Sequence, residues 1–164
     1  MRVIHPLKPI YNQDSKVLVL GSIPSLKSRE ELFYYAHPKN RFWSTLEKVY
    51  EEKIGNTKEE KTQFLLKHHI ALFDVVKSCD IESSKDQSIK NVVPNDFSGI
   101  LTRAKIKMIF CTGRKAYLLY QKYCYPNTKR EAILLPSTSP ANCPKNIEKI
   151  LYQEYKRIRE YTDN

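Results

Sequence analysis

Short apolar runs alternate along this chain with longer stretches whose apolar residues recur at helical spacing. Val17-Leu18-Val19-Leu20, Ile106–Cys111 and Ala132–Leu135 are compact runs rich in β-branched residues, and Ile70–Val76 is a further one that passes into polar sequence. Each has the length and composition of a strand buried on both faces. Between them, Phe42, Leu46, Val49 and Tyr50 fall on one helical face, as do Phe97, Ile100, Leu101 and Ala104, with Pro94-Asn95-Asp96 as a helix start. Gly113 opens a third predicted helix that runs through Cys124. Pro144-Lys145 opens a last one to about Tyr161, with Ile147, Ile150, Leu151, Tyr155 and Ile158 on its apolar face. Strands alternating with helices predict a three-layer α/β/α sandwich, with a central, mainly parallel sheet of about four strands. At 164 residues the chain reads as a single domain, 1–164.

Charge adds a partner class to that fold. The net charge is +10, and a domain this basic favours polyanions, because each phosphate contact releases condensed counterions. The four cysteines, Cys79, Cys111, Cys124 and Cys143, form no Cys-x-x-Cys pair and no Cys/His set with ligand spacing. No metal site and no cofactor is therefore expected. No secretory signal pattern or membrane-length apolar run is visible, which predicts reduced thiols and a cytoplasmic, nucleoid-associated location with no membrane partner.

In parallel sheets, sites form where strands end and helices begin. Three of the predicted strands finish in unusual loops: Gly21-Ser22-Ile23-Pro24-Ser25, Cys111-Thr112-Gly113, and Pro136-Ser137-Thr138-Ser139-Pro140-Ala141-Asn142. All three should converge on one sheet edge. After the first comes Tyr34-Tyr35-Ala36-His37-Pro38-Lys39-Asn40-Arg41-Phe42-Trp43, which sets four aromatics among cations and amides. Flat rings beside Lys and Arg suit a flat ligand attached to phosphate. The first loop lacks the glycines and the Gly-Lys-Ser/Thr ending of a P-loop, and no Gly-x-Ser-x-Gly elbow occurs. Ser137, Thr138 and Ser139 would grip a phosphate, stiffened by Pro140, with Lys145 adding charge from the first turn of the last helix. His68-His69 read as exposed helix-end residues, and Asp74 as a buried cap or an anchor behind the site.

These segments together resemble the uracil-DNA glycosylase superfamily, and most closely its hypoxanthine (deoxyinosine) DNA glycosylase branch. The Gly21–Ser25, Tyr34–Trp43 and Leu135–Asn142 segments carry the likeness. Ala71–Val76 and Asn91–Phe97 lie between them in matching order. The resemblance implies a compact α/β/α enzyme that flips a damaged base from duplex DNA and hydrolyses its glycosidic bond. Relatives carry a water-activating Asp or Asn in the first motif, where this chain has Ile23; the branch it resembles shares that gap and assigns the role to Asn40. Ser137 falls where other relatives have a histidine that stabilises the departing base. Thr112 falls near an Asn that reads uracil elsewhere, which argues against a strict uracil enzyme.

Asn40 and Ser137 are thus the catalytic candidates. Gly21, Ser22, Ile23, Pro24, Tyr35, His37, Phe42 and Thr112 are the base-pocket candidates, with Tyr35 or Phe42 stacking on the base. Ser25, Lys39, Arg41, Ser139, Pro140, Asn142 and Lys145 are the candidates for DNA contact. Asn40 would orient a water on the sugar's C1′ face, and positioning of that kind contributes up to roughly 7–11 kcal/mol in the best systems. A pocket offering a donor to O6 and an acceptor to N1–H fits hypoxanthine and rejects adenine, by roughly 10⁴-fold for hydrogen-bonded sites. No lysine is placed for a Schiff-base step, so the expected enzyme is a monofunctional, monomeric glycosylase acting on double-stranded DNA. Uracil, xanthine or a mispaired thymine as substrate, a non-catalytic nucleic-acid-binding module, and a hydrolase of free nucleosides remain open alternatives.

Overall fold

The computed structural model describes residues 1–81 and 89–164. Its central sheet has four strands, β2 (Val17–Gly21), β3 (Ile70–Asp74), β6 (Met108–Thr112) and β7 (Ala132–Leu135), in the order β3-β2-β6-β7. Every neighbouring pair is parallel. β2 and β3 are buried at every position, which is why both read as unbroken apolar runs rather than as alternating ones.

Helices flank this sheet. They are α1 (Leu26–Glu31), α2 (Phe42–Tyr50), α3 (Lys58–Lys67), α4 (Ser98–Arg103), α5 (Arg114–Tyr123), α6 (Tyr125–Thr128) and α7 (Ile147–Thr162). α2 buries Phe42, Leu46, Val49 and Tyr50 and packs along α7, whose buried residues are Ile147, Leu151, Tyr155, Ile158 and Thr162. Ile150, expected on that face, is exposed. The buried set follows the 3.6-residue repeat and leaves Ile150 to one side of the stripe. α7 also begins later than expected: Asn146 is its N-cap, so Lys145 lies in the turn before the helix rather than in its first turn.

A second sheet was not legible in the sequence. β1 (Arg2–Ile4), β4 (Val76–Ile81) and β5 (Ile89–Pro94) pair antiparallel in the order β1-β4-β5. β4 reads as polar sequence, and its ladder to β5 has register shifts that break the two-residue alternation. Partners distant in sequence hold it. The Arg2 guanidinium donates to Asp80 Oδ1 (3.3 Å), Ser78 Oγ (2.8 Å) and Asn91 O (3.0 Å). Hydrogen bonds from Asn91 and then Arg2 hold the Asp80 carboxyl below its usual range. His68, read as exposed, is half-buried: its ring lies 4.3 Å from that of Tyr50 and 4.6 Å from that of Phe64.

Candidate active site

Parallel registry brings the strand ends together. Gly21 is paired with Asp74, Leu20 with Cys111, and Thr112 with Leu135. Asp74, Gly21, Thr112 and Leu135 therefore sit side by side on one sheet edge; the last three lead into the three candidate loops, while Asp74 leads through Val75 into β4. The expected convergence is present.

The two loops after β2 are tied to each other by serines. Ser25 caps α1 by accepting from Ser28 N–H at 3.2 Å, and the buried Ser28 Oγ accepts from Ala36 N–H at 3.0 Å. Ser25 therefore acts first as a helix cap. Tyr35 follows with a left-handed backbone, φ 50°, an uncommon conformation for a residue with a large side chain. That turn lays its ring over Phe42, with centroids 4.0 Å apart and planes 12° from parallel. It also brings the phenol to 2.8 Å from Thr112 Oγ1, which donates in turn to Leu20 O at 3.3 Å. Burial first, and the Asp74 carboxylate second, push the Tyr35 phenol far above its ordinary value, so it stays protonated.

Phe42 is fully buried. Of the two stacking candidates, Tyr35 is half-buried and Phe42 supports it from the core. Trp43 is also core, stacked on Phe33 at 5.8 Å, with its indole N–H donating to Tyr34 O at 3.2 Å.

Asn40 lies where this loop turns into α2. Its N–H donates to His37 O at 2.9 Å, and its Oδ1 accepts from Phe42 N–H at 2.9 Å. The amide orientation is thereby set by the helix start, and one Oδ1 lone pair remains for a ligand. His37 and Lys39 are exposed at the rim, joined by Lys39 N–H donating to His37 Nδ1 at 3.0 Å. Pro24 is buried, while Ser22 and Ile23 are half-buried behind the strand end.

The loop after β7 docks on both neighbours. Thr138 O accepts from Arg41 N–H at 3.0 Å, which joins it to the Asn40 turn. The phenol of buried Tyr155 donates to Pro136 O at 2.7 Å. Gly113, at φ 100°, lies so close to Ser137 that a Cβ would meet Ser137 Cβ at 3.2 Å; here glycine is required both by conformation and by space. Ser137 Oγ accepts from Ser139 N–H (3.1 Å), Ser139 Oγ from Ala141 N–H (3.2 Å), and Asn142 Nδ2 donates to Ser137 O (2.8 Å). The N–H groups of Ser139, Ala141 and Asn142 are thus used inside the loop, while the hydroxyls of Ser137 and Ser139, as acceptors there, keep their own protons. The Arg41 guanidinium reaches Cys143 Sγ at 3.5 Å through Nη2, while its Nη1 is buried without a hydrogen-bond partner among the described residues. Lys145 is exposed beside this loop.

Sequence reasoning missed His5 altogether. Its Nε2 lies 2.8 Å from Asp74 Oδ2, and the two side chains are only 2% and 5% exposed. A histidine in the link between β1 and β2 gives no local signal of a partner 69 residues away. Asp74 carried a weak one, as a carboxylate closing an apolar strand.

The model of the uracil DNA glycosylase superfamily matches residues 8–161. The chain belongs to that superfamily. A superfamily relative from Methanosarcina acetivorans, named hypoxanthine DNA glycosylase, is 35% identical over 137 residues, covering 81% of this chain and 84% of the relative. Another of that name from Methanosarcina barkeri is 30% identical over 110 residues, covering 66% of this chain and 70% of the relative. A solution NMR structure from Methanosarcina acetivorans, described as a candidate uracil DNA glycosylase, superposes with a TM-score of 0.80 at 30% identity, spanning 96% of this chain and 99% of that one. Against this superfamily frame, Ile23 packs on the core and offers no polar group to water. Among the described residues no cluster of metal-ligating side chains occurs, and no helix is long and apolar enough to cross a membrane.

Proposed function

We propose that this member of the uracil DNA glycosylase superfamily is a monofunctional DNA glycosylase that flips a deaminated base, foremost hypoxanthine, from duplex DNA and hydrolyses its glycosidic bond. The observation that carries the reading is the fixed Asn40 amide at the mouth of the strand-end cleft, beside the Tyr35 ring. Two relatives named hypoxanthine DNA glycosylase support the substrate.

The geometry suits the chemistry. As the glycosidic bond breaks, the sugar develops oxocarbenium character and the base gains negative charge. Asn40 Oδ1, already oriented by Phe42 N–H, accepts from a water and holds it on the C1′ face. The Ser137 hydroxyl donates to the departing base, and Ser22 lines the other side. Tyr35 stacks on the flipped base, and the weak pairing of a deaminated base lowers the cost of extrusion. Arg41 Nη1, Lys39, Lys145 and the Ser139 hydroxyl meet backbone phosphates, with Pro140 and Asn142 shaping their loop. No metal, cofactor or Schiff-base lysine takes part. The enzyme acts as a monomer at the nucleoid, in the cytoplasm.

The test is excision from oligonucleotides carrying a single hypoxanthine, uracil or xanthine, followed by alkali. We expect alkali-dependent cleavage at hypoxanthine, reduced at least about a hundredfold in Asn40→Ala, the loss typical of one transition-state contact. Cleavage chiefly at uracil would overturn the substrate while keeping the reaction. Tight DNA binding with no excision of any base would overturn the enzyme.

A further inference from the structure

Asp74 is buried, yet only half of its carboxylate is used. Oδ2 is paired with His5 Nε2 at 2.8 Å, and among the described residues Oδ1 has no hydrogen-bond partner. Oδ1 lies at the carboxyl end of the sheet, beside Gly21. It lies so close to Gly21 that a Cβ there would come within 2.5 Å of it, with the Tyr35 phenol oxygen 3.1 Å from that same position. Glycine at 21 is what gives the carboxylate access to the cleft, beneath the ring that stacks on the base. Asp74 is 4% exposed, and a carboxylate oxygen in so dry a position is a strong acceptor for a ligand N–H.

His5 fixes the direction of that oxygen. Its Nε2–H donates to Asp74 Oδ2, while Nδ1 lies 3.2 Å from Leu7 N–H and 2.9 Å from Leu7 O, so both ring nitrogens are engaged. From the backbone side, Asn95 Nδ2 donates to Asp74 O at 2.9 Å. The carboxylate cannot rotate without breaking this set.

We infer that Asp74 Oδ1 is the acceptor that reads the ring N–H of a deaminated base, with His5 as its positioning residue. The inference rests on the glycosylase reading above. Deamination of adenine or cytosine turns an amidine edge, with a bare ring nitrogen, into a lactam edge, with a ring N–H beside a carbonyl. Hypoxanthine and xanthine present that N–H at N1, and uracil at N3. Adenine and cytosine present a lone pair there, which a carboxylate oxygen repels. One fixed acceptor therefore separates hypoxanthine from adenine and uracil from cytosine; guanine and thymine, which carry the same ring N–H, are left, with ring size, to the rest of the pocket.

The test compares single-turnover excision of hypoxanthine with that of unsubstituted purine, which lacks both O6 and N1–H, from otherwise identical duplexes. Taking the ratio within each variant cancels general losses of activity, and thermal melting reports folding. In Asp74→Asn, His5 Nε2–H holds the amide oxygen and the NH₂ turns to the cleft, replacing the acceptor by a donor. The expected result is a hypoxanthine-to-purine ratio compressed at least about tenfold, the weight of one charge-assisted hydrogen bond. His5→Ala should compress it in the same direction, and His5→Gln, whose amide can still donate to Oδ2, should restore most of it. Parallel loss on both bases, as from a water-activating or purely structural carboxylate, overturns the inference while leaving the glycosylase reading intact. An unchanged ratio in Asp74→Asn does the same. A wild-type protein that excises no base at all overturns both.

Discussion

The Tyr35 ring lies on the Phe42 ring with centroids 4.0 Å apart and planes 12° from parallel. This joins a residue held in the left-handed region to the first buried residue of α2. The Tyr35 ring therefore rests on the helix that packs on α7, and its tilt is set by core packing rather than by the loop alone.

That relationship predicts an effect of a residue the base never touches. Phe42→Leu keeps an apolar side chain but removes the flat support, so Tyr35 should lose its fixed tilt. Single-turnover excision should fall more than DNA affinity does. Phe42→Ala should cost about 3–5 kcal/mol of stability, the usual loss for a buried phenylalanine, measured by denaturant unfolding.

Asn40 has two jobs, and two variants separate them. Asn40→Ala removes the oxygen that accepts from Phe42 N–H, so it should lose about 1 kcal/mol of stability as well as excision. Asn40→Asp retains an acceptor for Phe42 N–H and should melt close to wild type. A matched loss of stability in the two variants would show that the 2.9 Å contact to Phe42 does not support the helix start.

Gly21→Ala should abolish excision at modest cost in folding. The new Cβ would sit 2.5 Å from Asp74 Oδ1, far inside contact distance, and the carboxylate must move or the strand end must shift. Excision rates together with a melting curve check this; wild-type excision in Gly21→Ala would rule out the packed strand end described here.

Binding should weaken steeply with salt, because the protein carries a net charge of +10 and phosphate contacts release counterions. Lys39→Gln, Arg41→Gln and Lys145→Gln should each reduce the slope of log Kd against log salt by about 0.9 if each meets one phosphate. Titrations of a duplex at several salt concentrations give the slope. The hypoxanthine-to-uracil preference should not change, since phosphates carry no base information.

Stability should also decline in alkali. Burial pushes the thiols of Cys111 and Cys124 up to about 12 from an ordinary 9.0. The folded protein then holds protons that the unfolded chain releases. The associated stability is complete below pH 9, is lost progressively as the pH rises towards 12, and levels off beyond it. A melting series over that range should show the decline, and Cys124→Ala should flatten it.

The amino-acid sequence by itself determined the central sheet, the helices that alternate with it, and the edge on which a site forms. Those features rest on local patterning: buried strands read as apolar runs, Phe42–Tyr50 and the last helix carry 3.6-residue stripes, and strand ends announce themselves with Gly, Pro and Ser. It also supplied the motifs that made Asn40, Tyr35 and Ser137 candidates. The second sheet was not legible, because β4 is polar and bulged and is held by partners as distant as Arg2. Nor could a sequence of aromatics say which of them are core; Phe42 and Trp43 are buried and Tyr35 is half-buried. Above all, the His5–Asp74 pair and the hydrogen bonds that use up the N–H groups of the loop after β7 are matters of three-dimensional proximity. A hydrogen bond is decided within tenths of an ångström, and no spacing along a chain encodes a contact between residues 69 positions apart.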